Sequence, residues 1–145
     1  MAHSGKFRPK NIKKYKGEVS NIFYRSSWEL KIMRFFDLNN KIDWWKSEEI
    51  VIPYVSPTDG KRHRYFPDFL YGTLSGSTYL VEVKPKKQTR PPKKKTVITE
   101  KYVREVFEWG KNEAKWKAAV DFCKQKNWIF QIWTEDQIKE LGIKI

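Results

Sequence analysis

The chain has 145 residues, with 30 Lys and Arg against 17 Asp and Glu for a formal net charge of +13, and it is 39% hydrophobic and 16% aromatic. That length and apolar content supply one domain with a proper core and exclude a disordered chain, while the charge favours a polyanionic partner, nucleic acid first. A single cysteine, Cys123, excludes an internal disulfide and a cysteine-rich zinc site, and the lack of a membrane-length apolar run or signal-peptide core predicts a soluble, intracellular protein.

In chain order, Met1 to Gly5 reads as a flexible start. Residues 6–21 are basic and polar, with Lys6, Arg8, Lys10, Lys13, Lys14 and Lys16 around Pro9 and Gly17. Residues 1–21 therefore read as a basic flexible arm, either a mobile one or one that grips phosphates. A helix begins near Ser26, where Ser26-Ser27-Trp28-Glu29 forms a capping box. Trp28, Ile32, Phe35 and Phe36 make its apolar stripe, Leu30 and Met33 widen it, and Asn39 and Asn40 end it. Capping alone accounts for Glu29. Yet its neighbours at i+3, i+4 and i+7 are Ile32, Met33 and Phe36, so the acid also points toward the sheet.

Ile42 to Trp45 are expected to pack over the start of that sheet. Glu49 to Val55 reads as a strand in which Pro53 marks an edge or a bulge; Glu48 and Glu49 read first as its charged entry and second as acids that reach the site. Ser56 to Gly60 is a turn. The next strand covers Tyr65 to Tyr71, Gly72 to Ser77 form a tight connection, and Tyr79 to Val83 form the third strand of an antiparallel meander. With the connection centred near Ser75, Asp68 lies opposite Glu82 at a cross-strand separation of roughly 5 Å. Glu82 and Lys84 share one face of the third strand, Val81 and Val83 the other. Two facing carboxylates repel unless a cation sits between them, and Mg²⁺ suits such oxygen ligands. Taken alone, this spacing also fits a solvated hairpin face carrying a Glu–Lys pair.

From Lys84 to Lys95 seven of twelve residues are basic and three are Pro, so the stretch is a loop, placed to hold DNA phosphates. Two helical segments are predicted next. The first spans Thr96–Trp109 with Val103, Val106 and Phe107 inward; Gly110 interrupts, and Asn112–Lys126 follows with Ala114, Ala118, Ala119 and Phe122 on one face. Lys115 shares that face and either snorkels to the surface or points into the site. Trp128 to Trp133 is a strand, and Thr134-Glu135-Asp136-Gln137 caps a last short helix.

Several segments carry a family resemblance. Tyr65-Phe66-Pro67-Asp68-Phe69 and Val81-Glu82-Val83-Lys84-Pro85 resemble the PD-(D/E)xK nuclease motif. Together with Ser26-Ser27-Trp28-Glu29 and Trp133-Thr134-Glu135 they are similar to the nuclease domain of transposon end-cleaving endonucleases over residues 24–137. Phe7 to Tyr15 and Tyr24 to Lys31 resemble the head completion nucleases of large tailed phages. The resemblance implies an α/β restriction-endonuclease-like core in one domain over residues 22–145: a mixed sheet, made of the three-strand antiparallel meander plus a later strand, flanked by helices. It implies a metal-dependent DNA endonuclease working in the host cytoplasm on packaged DNA or DNA ends, in association with phage head or portal proteins. Asp68, Glu82, Glu29 and the Val83 carbonyl would bind Mg²⁺, with Mn²⁺ as a substitute, and Lys84 would orient the attacking water. Double-stranded DNA would be gripped by Arg64, Lys86, Lys87, Arg90, Lys93, Lys94 and Lys95, with Lys115 as a further contact. The competing reading is a non-catalytic DNA-binding head-assembly protein. An RNA-binding domain ranks below both, because the aromatic residues fit core stripes.

Overall fold

The computed structural model describes residues 3–145. The chain opens with β1 (Gly5–Lys6), which pairs with β2 (Phe23–Tyr24), and continues through α1 (Ser27–Leu38) and β3 (Ile42–Ser47). A hairpin of β4 (Ile52–Val55) and β5 (Arg62–Tyr65) follows, then β6 (Phe69–Thr73), β7 (Thr78–Val83), α2 (Glu100–Lys126), β8 (Ile129–Trp133) and α3 (Glu135–Glu140). The main sheet has the order β3-β6-β7-β8. Its first three strands are antiparallel and β8 joins parallel to β7, a connection that needs a long crossover, supplied here by α2. This is the mixed α/β sheet that the sequence led us to expect.

Two apolar layers hold it. On one face Ile32, Met33 and Phe36 of α1 lie on Trp45, Phe69, Tyr71, Val81 and Trp133. On the other, Ala119 and Cys123 of α2 lie with Leu70, Leu80, Ile52, Tyr54 and Tyr65. Burial also pushes the Cys123 thiol up to about 11, so it stays protonated. Helix α1 starts at the predicted cap but with half of the box: Ser26 Oγ accepts the Glu29 N–H at 3.2 Å, while Glu29 Oε1 accepts the N–H of Arg25, one residue before the cap, at 3.3 Å.

Several boundaries differ from the sequence reading. The first strand of the meander is Ile42–Ser47 rather than Glu49–Val55. Trp45 and Ile42 are buried there, while Pro53 has no N–H to give a second neighbour, so β4 pairs with β5 in a separate ribbon. The strand expected from Tyr65 to Tyr71 is broken at Phe66–Asp68, where buried Pro67 turns the chain from the ribbon into the main sheet. Helix α2 is continuous through Gly110. A mid-helix glycine costs about 1 kcal/mol relative to alanine, which a helix of 27 residues absorbs. Thr99 sets its start by accepting the Tyr102 N–H at 3.1 Å, so residues 96–99 stay outside it. Val103, Val106 and Phe107, expected inward, are exposed, because the first part of α2 extends past the sheet's apolar surface.

The basic stretch after Gly5 is not a free arm. Phe7, Tyr15 and Ile22 are buried in the α1 face. Buried Asp37 takes the Lys10 and Asn11 N–H groups at 2.8 and 2.9 Å, and Lys14 Nζ donates to the Asn39 carbonyl at 2.8 Å. The part of the expected flexible start made by Met1 and Ala2 lies outside the described residues. Asp37→Ala orphans two backbone donors, and about 3 kcal/mol of stability is expected to go with them. Limited trypsin digestion should then cut at Lys10, Lys13 and Lys14 far sooner than in the parent protein. Equal rates would mean that the apolar anchors suffice.

Candidate active site

The β6–β7 hairpin has the register the alternation predicts. Tyr71 pairs with Tyr79 and Phe69 with Val81, which places Asp68 across from Glu82. Gly76, with φ 92°, makes the turn that sets this register. Just before β6 begins, the Asp68 Oδ2 accepts the Val83 N–H at 2.7 Å.

Glu29, Asp68, Glu82, Val83 and Lys84 line one groove of about 680 Å³, with Ser26, Trp28 and Gln88 at its margin. Helix α1 brings Glu29 over the end of the sheet, and β6 and β7 bring the other four. Glu82 is buried, and its Oε1 accepts the Tyr65 hydroxyl at 2.5 Å. Lys84 Nζ lies 3.8 Å from Glu82 Oε2.

The sequence reading gave Glu48 first as a charged strand entry and second as a residue that reaches the site, and the structure brings it in. One carboxylate oxygen each from Glu29, Glu48 and Asp68 lie within 4.8 Å of one another. Glu48 follows β3 in the left-handed region, φ 55°, a conformation that costs a non-glycine residue free energy and that clusters at functional sites. Its N–H donates to the Asp68 carbonyl at 3.0 Å, and its side chain pairs with Arg25. The next residue, Glu49, turns the other way and accepts the Tyr15 hydroxyl at 2.7 Å. The only sequence-level signal was the double acid at a strand end, where successive side chains part to opposite faces.

The electrostatics fit a cation holder. Burial, then Glu82, then Glu29 push the Asp68 carboxyl well above the usual carboxylate range, against the Val83 N–H and Lys84. Burial raises Glu82 as well, opposed by the Tyr65 hydrogen bond, Lys84 and Lys115. Glu48 is raised by burial, with Arg25 opposing. Four carboxylates crowded at a sheet end, three of them reluctant to ionise, form a hard oxygen donor set that a divalent metal would neutralise.

The residues expected to touch DNA are less uniform. Lys87, Arg90, Lys93, Lys94 and Lys95 are exposed on the loop after β7, and Arg64 is exposed above the Phe66 ring at 5.7 Å. Lys86 is tied to the start of α3: its Nζ lies 2.9 Å from Asp136 Oδ2 and its N–H donates to Glu135 Oε1 at 2.6 Å. Lys115 lies over the Tyr65 and Tyr54 rings, at 5.6 and 5.9 Å, and its charge lowers Glu82. It is half-buried rather than free on the surface.

The comparisons agree with this geometry. A family described as TnsA-like endonuclease N terminal matches residues 39–135, a span that includes Glu48, Asp68, Glu82, Lys84 and Lys115. The head completion nuclease of Enterobacteria phage T4 is 42% identical over 148 residues, covering 99% of each chain. With more than half of its length matched to the one and all but 1% aligned to the other, the chain belongs to the TnsA-like endonucleases and is a nuclease of the head completion type.

Proposed function

We propose that the chain acts as one unit, a Mg²⁺-dependent endodeoxyribonuclease that cuts double-stranded DNA during phage head completion, on packaged DNA or its end and beside head or portal proteins. The observation that carries this reading is the convergence of Glu29, Glu48 and Asp68 within 4.8 Å, next to Glu82 and Lys84. Glu29, Glu48 and Asp68 would hold the cation. The Val83 carbonyl leaves the same strand edge as its N–H, which meets Asp68, and is a further oxygen for it. The cation supplies a Lewis acid for the scissile phosphate and a bound water of lowered pKa.

The remaining work falls to the chain's own groups. Lys84 stabilises negative charge developing on the phosphate and orients the water. Glu82 fixes Lys84 through their contact and is itself held by Tyr65. Arg64, Lys87, Arg90 and Lys93 to Lys95 grip the flanking backbone, so affinity should fall steeply with added salt. Among the described residues no helix is long and apolar enough to cross a membrane.

The test is cleavage of linear and branched duplex DNA with Mg²⁺ or Mn²⁺, beside EDTA. Glu48→Gln removes one oxygen charge while keeping side-chain size, and it is expected to lower cleavage by roughly a hundredfold, the usual scale for one electrostatic contributor. Tight, salt-sensitive binding with no cutting under either metal would favour the assembly-protein reading. Full activity of Glu48→Gln would leave the cation to Glu29, Asp68 and Glu82.

A further inference from the structure

A second cavity, of about 260 Å³, opens beside the groove and shares Gln88 with it. One wall is a face of α2 that presents Glu105, Glu108, Trp109 and Asn112 at spacings of three and four residues. The other carries Lys87 and Arg90 from the basic loop. The space far exceeds that of a water molecule, about 30 Å³ in the liquid.

Asn112 is only 5% exposed, and it lines the cavity. Its amide carries both a donor and an acceptor for a polar group that enters beside it. Trp109 is half-buried and fixed edge-to-face against Trp116 at 5.9 Å, and it lines the cavity. Glu108 is drawn toward Lys111, 3.4 Å away, and remains largely exposed.

Phosphate alone does not suit this lining, because Glu105 and Glu108 repel it. A nucleotide does. Its phosphate stays with Lys87 and Arg90, its base lies against Trp109, and the polar edge of the base meets Asn112 and the carboxylates. Carboxylates accept from the amino and imino groups of a base's Watson–Crick edge, and that edge is free only in an unpaired base. We propose that this cavity receives an unpaired nucleobase next to the scissile position, so that the substrate class is DNA with a single-stranded end, flap or branch. The link to the scissile position rests on the nuclease reading above; the capture of a base does not.

The experiment is a titration in EDTA, where no cutting interferes, of a labelled duplex bearing a short single-stranded flap. Two comparators are used: a fully paired duplex with the same number of phosphates, and the flapped DNA with its first unpaired nucleotide made abasic. Base–aromatic stacking changes affinity by roughly ten-fold or more, so the flapped DNA should bind about ten-fold tighter than either comparator. Trp109→Ala should erase that preference, and Trp109→Phe should keep most of it. Equal binding of the flapped and abasic DNA by the parent protein overturns the proposal, and this holds whether or not the variants fold. Failure to cut in Mg²⁺ or Mn²⁺ is a separate result that sinks the nuclease reading while leaving the base preference standing.

Discussion

Asp68→Asn is expected to lower DNA cleavage by at least about a hundredfold and, in the absence of metal, to make the protein more stable. The first effect follows from position. Asp68 alone touches every part of the site: its carboxylate meets the Val83 N–H, lies within reach of Glu29 and Glu48, and faces Glu82 across the hairpin. Loss of one such electrostatic contributor usually costs a hundredfold to a thousandfold in rate. The second effect follows from charge. Burial, Glu82 and Glu29 raise the folded-state pKa of Asp68 above its unfolded value. A carboxyl shifted upward contributes most to stability at acid pH, below the unfolded value, and that contribution is lost as pH rises through the folded value. The stability gap between Asp68→Asn and the parent should thus be small near pH 4, widen with rising pH and then level off. Urea unfolding in EDTA across that range measures it. Adding Mg²⁺ should reverse the order, since a ligand that binds only the folded parent stabilises it by mass action. A variant that cuts like the parent, or a stability gap that shrinks with pH, would remove Asp68 from the centre of the site.

What the sequence revealed and what it hid divide along the range of the interactions. The pairing of Asp68 with Glu82 was legible because a tight turn and strict alternation fix a hairpin's register locally. The start of α1 was legible for the same reason, since Ser26 and Glu29 satisfy each other within one helical turn. The neighbour of β6 was not. Ile42–Ser47 and Ile52–Val55 both look like strands, and the choice rests on distant partners: Trp45 meets Phe7, Tyr15 and Phe36 at ring separations of 5.8, 4.7 and 5.7 Å. The same aromatic contacts explain why the basic segment is held against the core although its lysines suggested freedom. Glu48 was only half legible, as one of two adjacent acids that could reach the site, because its backbone decides the matter. A left-handed turn after β3 aims it at Asp68, and nothing in the side-chain pattern announces φ 55° at a glutamate.

Phe36→Ala is the substitution expected to cost the most stability. Its ring is fully buried and lies 5.3 Å from Phe69, 5.0 Å from Tyr71, 5.8 Å from Trp133 and 5.7 Å from Trp45, so a single side chain joins α1 to β3, β6 and β8. Removing a buried Phe side chain costs about 3–5 kcal/mol, a large share of the roughly 5–15 kcal/mol that a domain possesses. The melting temperature should fall by roughly 10 °C, and Phe36→Leu, which refills most of the space, should recover more than half of the loss. Activity should fall too, because Glu29 sits two turns earlier on the face that Phe36 docks, and a loosened α1 no longer holds that acid over Asp68. Glu29→Gln separates the two effects. Gln serves as well as Glu at the third position of a capping box, so the helix start should survive and the melting temperature should change little, while cleavage falls with the lost charge. If Phe36→Ala shifted the melting temperature by only a degree or two, the aromatic cluster would not be the core of this fold. If Glu29→Gln lowered stability as much as activity, Glu29 would be a capping residue and no part of the chemistry.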